Sequence, residues 1–350
     1  MVLTRRGKLT TLVVIVVALV GVLVALALTG NAPGPVQDLA DKAGIVSSPE
    51  PEPVCPLTGE PAPGGEVPDR PALAVKVENL PEVRPQYGLS TADVIFEEPV
   101  EGGITRFIVV YQCEDAARIE PVRSARTTDP QVLVQLGTIA FGYADAAGYV
   151  VKEVARYDRQ IADVNMSNES SAYERDASRP EPHNLVSSTK DLYKVATKQF
   201  LKVPEPLFTY GEMPGKSKRV KQVQLYFSDY SDVVWKWSGG KDAYLRFHGS
   251  TPHRSAEGGQ VEARNVIIQV VEVNNSDHLD PAGNPVPEVT LTGKGKAYLL
   301  RDGRLYSGKW TRGSVGDDTV FATAGGQEFI LSPGKTWVEL FPKDRGKPQF

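Results

Sequence analysis

The chain has 350 residues, of which 41% are hydrophobic and 23% charged, with 27 prolines and 32 glycines. That is an ordinary globular composition rich in turns, which excludes a collagen-like or wholly disordered chain. With 39 basic against 43 acidic residues the net charge is -4, so no basic field holds a nucleic acid by counterion release, and nucleic acid is excluded as a partner.

Arg5, Arg6 and Lys8 precede the run Leu9 to Thr29, which contains no charged residue. Such a run is about long enough to cross a hydrocarbon core, and its basic flank is expected to stay in the cytoplasm. Residues 1–30 therefore read as a single-pass signal-anchor, with the cell membrane as a partner through residues 9–29. A cleavable signal peptide is the alternative, because Ala25-Leu26-Ala27 is an A-x-A-like site, although the run exceeds the ~7–15 apolar residues usual there. Both readings place the rest of the chain on the extracytoplasmic side. Residues 31–54 are rich in Pro and Gly without apolar periodicity, the composition of a tether.

Two cysteines occur, Cys55 and Cys113. In an exported chain a lone pair most simply forms one disulfide, whereas a redox pair would want the C-x-x-C spacing that is missing. From Pro71 onward short β-branched and aromatic runs predict strands: ALAVKV (72–77), DVIFEE (93–98) and ITRFIVVY (104–111), the last two joined as a hairpin through Pro99 to Gly103. Asp129-Pro130 predicts a helix start, with Val132, Leu133 and Leu136 at helical spacing. IAFGYA reads as a strand, Tyr149 to Tyr157 as a helix, and Ser188 opens a third helix running to about Phe200. Beyond Lys218 helical periodicity gives way to eight strand-like runs, QVQLYF, DVVWKW, AYLRF, NVIIQVVEV, KAYLLR, DTVFA, QEFIL and TWVEL. The expected class is α+β. A mixed α/β domain over 55–212 is followed by a smaller, mostly antiparallel β domain over 213–350, a sandwich or partly open barrel.

CPLTGEP, RPALAVKVENLPEVRPQYGLSTADVIFEEPVEGGITRFIVVYQ, IEPVRSAR, PHNL, GKGKAYLLRDG and LSPGKTWVEL, in that order from Cys55 to the C-terminus, resemble the YerB-like family of bacterial extracytoplasmic proteins. The resemblance implies an exported, membrane-attached protein with a mixed N-terminal domain and a smaller β-rich C-terminal one. It implies no reaction. Many relatives look like lipoproteins, whereas here no cysteine follows the apolar run closely. Where the family tends toward Gly-Gly-Ser, this chain reads Ala147-Gly148-Tyr149, which removes a serine nucleophile.

The densest polar group is Glu97, Glu98 and Glu101 with Arg106, around the tip of the hairpin. Two close carboxylates can divide acid and base roles, as in glycoside hydrolysis, with Glu97, Glu101 and His183 as catalytic candidates. The plain alternative is that Glu97 or Glu98 pairs with Arg106 across the hairpin. Arg123 and Arg126, just before a helix start, are anion-binding candidates together with Arg106 and Asn184, or else they neutralise the glutamates. His248 and His253 lack a third ligand at metal spacing, so no metal is expected, and no cofactor motif of the H-E-x-x-H, phosphate-loop, dinucleotide or G-x-S-x-G kind occurs. Three functions follow, in this order: a tethered protein binding an anionic cell-wall or lipid-linked component, an envelope glycan hydrolase using a Glu pair, and an adaptor meeting another envelope protein. An enzyme is the lesser expectation.

Overall fold

The computed structural model describes residues 52–196 and 200–350, together with Val22 and Gly34–Val36. The expected anchor at 9–29 and most of the tether lie outside the described residues. Among the described residues no helix is long and apolar enough to cross a membrane. Pro53–Phe350 forms one compact unit.

The strands appear where β-branched runs predict them: β1 (Ala72–Glu78), β2 (Val94–Pro99) and β3 (Thr105–Tyr111). Helix α1 (Thr128–Leu133) leads to β4 (Ile139–Gly142), helix α2 (Gly148–Ala155) to β5 (Ile161–Asp163), and α3 (Thr189–Val195) follows. Ser188 caps α3 by accepting from the Asp191 N–H, as its position predicts, but the helix ends at Val195, short of Phe200. Next come β6 (Gln222–Ser228), β7 (Ser231–Ser238), β8 (Ala243–His248) and the long β9 (Asn265–Leu279). The chain finishes with β10 (Pro285–Thr290), β11 (Gly293–Arg301), β12 (Arg304–Arg312), β13 (Val320–Thr323) and β14 (Thr336–Pro342).

The expected hairpin forms. β2 and β3 pair antiparallel from Val94↔Val110 to Pro99↔Thr105. Gly102 and Gly103 take φ of 69° and 76° in the connection, values that favour glycine. β1 adds to the far edge of β3, and β4 and β5 extend the sheet in parallel.

The C-terminal strands do not close a sandwich or barrel of their own. One twelve-stranded sheet runs in the order β13-β12-β11-β9-β14-β2-β3-β1-β4-β5, with β10 beside β9 and the short strand Lys218–Arg219 beside β12. The seam is β14, parallel on one side to β2 (Val94↔Thr336) and on the other to β9 (Asn265↔Thr336). Strands from both sides of residue 212 thus share one ladder of backbone hydrogen bonds. A second sheet, built on β6, β7 and β8, lies on one face. Its Val223, Leu225 and Trp235 pack with Val75, Ile95, Phe107 and Trp337 of the large sheet, and Leu192 of α3 joins them. The opposite face packs Ala74, Phe96, Ile108 and Val338 against Val132 and Leu133 of α1 and Val150 and Val154 of α2. Burial on both faces explains why β1, β3 and β14 contain no exposed residue and read as continuous apolar runs.

Cys55 and Cys113 are joined by a disulfide, with Cα atoms 6.0 Å apart. Next to it, the buried Asp93 carboxylate accepts from the Cys113 N–H at 3.2 Å, and its carbonyl accepts from the Thr336 N–H at the start of β14. Burial pushes Asp93 up to about 7 against the backbone N–H groups of Cys113 and Gln112. The folded state therefore holds a proton that the unfolded chain, with an Asp value of about 3.9, has released. Asp93 contributes stability that is full below about pH 4 and is lost as pH rises toward 7. Asp93→Asn should flatten that decline in urea denaturation run from pH 4 to pH 8; an unchanged slope would assign it to other groups.

Candidate functional site

Alternation along the strands decides which charges meet. Glu97 and Glu98 are neighbours on β2, so they point to opposite faces of the sheet. At this end of the sheet each face carries its own polar network.

On the face covered by α1 and α2, Lys76, Glu78, Glu98 and Arg106 come together from β1, β2 and β3. The fully buried Lys76 ammonium donates to Glu98 and, at 2.6 Å, to Asp129. Burial holds Glu98 above the usual carboxylate range, Lys76 opposing and Asp129 adding to the effect. Arg106 stands opposite both Glu78 and Glu98 in register, yet its Nη1 donates to the Ser124 carbonyl at 2.9 Å. No ion pair joins it to Glu97 or Glu98 among the described residues. Arg126 Nη1 donates to the same carbonyl at 3.3 Å, while its Nη2 pairs with Glu101 at 2.6 Å. Burial would raise Glu101, but the hydrogen bond and charge of Arg126 hold it below its ordinary value. Arg123 Nε lies 3.0 Å from Glu78, whose other oxygen meets His183 Nδ1 at 2.8 Å.

Glu101, Arg106, Arg123, Arg126 and His183 therefore gather on one face. Arg106 is 5% exposed, and burial together with the nearby Arg126 and Arg123 pushes it down to about 9. The Nε atoms of Arg106 and Arg126 are buried without a hydrogen-bond acceptor, whereas that of Arg123 pairs with Glu78. Asn184 stands apart from this group, its side-chain oxygen taken by Arg175 at 2.7 Å. The expected contribution of a helix start falls away too. Asp129 lies inside α1 and its carboxylate accepts from the Arg126 N–H at 2.7 Å, occupying that end of a six-residue helix.

On the opposite face, between the two sheets, Glu97 meets Arg246 of β8, whose side chain has no exposed surface. Arg246 Nη2 donates to Glu97 at 2.6 Å, and its Nη1 donates to His248 Nε2 at 3.0 Å and His253 Nδ1 at 2.8 Å. Its guanidinium carbon lies 5.1 Å from the Trp337 ring centroid and 5.4 Å from that of Phe107. Burial, then the charge of Arg246, holds both histidines well below their usual range, so their ring nitrogens accept from it. Glu339 of β14 is Glu97's partner in register and accepts from the Trp235 indole at 2.7 Å. Burial and the adjacent Glu97 carboxylate hold Glu339 far above the carboxylate range, so it keeps its proton. Glu97 and Glu101 consequently cannot work as an acid–base pair across one substrate, because the sheet stands between them. Among the described residues no group of three or more His, Cys, Asp or Glu is placed to hold a metal ion.

Two family descriptions match the chain: the N-terminal domain of a protein of unknown function (DUF3048) over residues 57–202, and the C-terminal domain of the same family over residues 223–338. A relative from Bacillus subtilis (strain 168), named "Putative lipoprotein YerB", is 27% identical over 288 residues, covering 79% of this chain and 83% of the relative. The chain belongs to the YerB-like family. The crystal structure of the YerB protein from Bacillus subtilis superposes with a TM-score of 0.70 at 24% identity, over 85% of this chain and 100% of that one. The YerB-like fold is thus a mixed α/β arrangement, mostly strands with few helices.

Lys76, Glu78, Asp129, Arg246 and Glu339 also belong to these networks, although the sequence pattern does not single them out. The first two still carry a signal, since ALAVKVE places Lys76 and Glu78 on the face of Ala72 and Ala74, where a strand buried on both sides requires partners. For Arg246 no local signal exists, because its carboxylate lies 149 residues away. Arg246→Met should lower stability by roughly 3–5 kcal/mol, since Glu97 would be left buried without its cation. Arg246→Met combined with Glu97→Gln should recover part of the loss in urea denaturation, and a single variant as stable as the parent would show that the pair holds nothing.

Proposed function

We propose that this chain is a membrane-tethered extracytoplasmic protein that binds an anionic component of the cell envelope through Arg106, Arg123 and Arg126. One observation carries the reading. Arg106 and Arg126 both donate to the Ser124 carbonyl, Arg126 also to the Ala125 carbonyl at 2.8 Å, while the Nε donors of Arg106 and Arg126 stay without an acceptor. Guanidinium groups held this close repel one another, and a carboxylate or phosphate that reached them would relieve the repulsion and accept the free donors. Arg123 and Arg126 keep 17% and 14% of their side-chain surface exposed and His183 keeps 29%, so the group is open along one rim. Attachment to the membrane through residues 9–29 is supported by the apolar run and its basic flank, and by the lipoprotein name of the Bacillus relative. The hydrolase alternative loses its support because Glu97 faces away from Glu101.

Two experiments test this reading. Protease added to wall-stripped intact cells should digest the chain beyond residue 30; protection would refute the topology. Arg123→Lys with Arg126→Lys keeps both charges beside Glu78 and Glu101 but removes the two-pronged donors. This variant should melt near the parent temperature and lose about tenfold or more of its binding to isolated cell wall. Parental binding by the folded variant would remove the arginines from the site.

A further inference from the structure

Away from the arginine cluster, the large sheet splits. β9 and β11 pair antiparallel from Asn265↔Arg301 to Gln269↔Ala297, and there the pairing stops. Beyond it β9 turns to β10, meeting Thr290 at Glu272, while β11 continues back to Gly293 along β12 alone. The strands diverge, leaving a groove of about 650 Å³ bounded by Val270 and Glu272 on one side and Gly293 to Lys296 on the other. The C-terminal segment with Lys343 and Lys347 forms part of its lining.

The split is built into the packing. Trp310 stands opposite Gly295 in register, and its indole N–H donates at 2.8 Å to the carbonyl of Val270, where a β11 residue would otherwise reach. A Cβ on Gly295 would lie 2.4 Å from the Trp310 ring nitrogen and 2.6 Å from that carbonyl, so only glycine lets the indole cross the gap. Alternation then puts Lys294, Lys296 and Tyr298 on one face of β11. The Tyr298 ring, 5.1 Å from the exposed ring of Phe350, gives the basic row an apolar end. Lys343 pairs with Glu272 at 2.7 Å. Lys294, Lys296 and Lys347 form no ion pair among the described residues, although all three are exposed around the same groove.

We infer that this groove is a binding site for a phosphate or phosphodiester group, held by Lys294, Lys296 and Lys347 with an apolar portion of the ligand toward Tyr298. Three compact ammonium charges around a concave surface, without an arginine fork among them, suit a tetrahedral anion approached from several sides better than a planar carboxylate. The inference is independent of the arginine site, which belongs to another part of the sheet.

The test uses the full-length chain in neutral detergent and isothermal titration with two kinds of probe. Inorganic pyrophosphate represents a soluble phosphate, and dihexanoyl phosphatidylglycerol, against dihexanoyl phosphatidylcholine, represents a lipid headgroup. At least one phosphate probe should bind more tightly than phosphatidylcholine, and its affinity should fall as salt is raised. Lys294→Gln with Lys296→Gln alters only exposed side chains and should cost about tenfold or more in affinity with unchanged circular dichroism. Binding of pyrophosphate alone would assign a soluble ligand, and binding of the lipid alone a headgroup; each supports the site. The Arg123→Lys, Arg126→Lys chain should bind both probes as the parent does. The inference is overturned if neither probe binds the parent, if the lysine variant binds equally well, or if the arginine variant is the one that loses affinity.

Discussion

The insertion of β14 between β2 and β9 is the constraint on which the rest of the structure depends. β14 pairs in parallel with β9 over all seven residues and with β2 from Thr336 to Glu339, and all seven of its residues are buried. Through it Trp337 and Phe341 reach the smaller sheet, while Val338 and Leu340 join the core under the helices. Removal of this one strand would leave two open edges, one on β2 and one on β9, and two separate part-sheets.

The same geometry explains why so many charges are buried. Central strands covered on both faces have nowhere to send a polar side chain, so every Lys, Arg or Glu they carry must find its counterpart inside. Lys76 does so with Glu98 and Asp129, and Arg246 with Glu97. The two networks differ in access to solvent. Both leave a buried arginine Nε without an acceptor, but Arg246 is sealed between its ion-pair partner, two neutral histidines and aromatic rings, whereas the Arg106 group faces a partly open rim. That difference, more than the count of charged residues, separates a structural tie from a candidate site.

Much of the fold was legible because β-branched runs and turn residues report local preference. β1, β2, β3, β6, β7, β8 and the start of β9 fall where those runs lie, and the β2–β3 hairpin is visible in its Pro-Val-Glu-Gly-Gly connection. β12 was overlooked because Gly308 and Lys309 interrupt RLYSGKWTR, and its burial is set by β11 and β13 on either side. Parallel pairing of β14 left no trace, since nothing in TWVEL names its neighbours. The candidate site was half legible. The chemistry of Glu101, Arg106, Arg123, Arg126 and His183 follows from residue type, but the choice of Glu97 ignored that it and Glu98 must face apart. Asn184 is adjacent to His183 in sequence, but Arg175 takes its side-chain oxygen.

The position of β14 in the sequence also governs the order of events during biosynthesis. A chain made from its N-terminus presents β1, β2 and β3 long before Thr336 exists, so the β2 edge must wait for a partner from the far end of the molecule. Contacts of such sequence separation close slowly, and a waiting hydrophobic edge can pair with the wrong strand. The hairpin can form early, but the native sheet becomes continuous only when nearly the whole chain has been released. Any truncation that removes the last fifteen residues would therefore strike the centre of the sheet, although it deletes only the tail of the sequence.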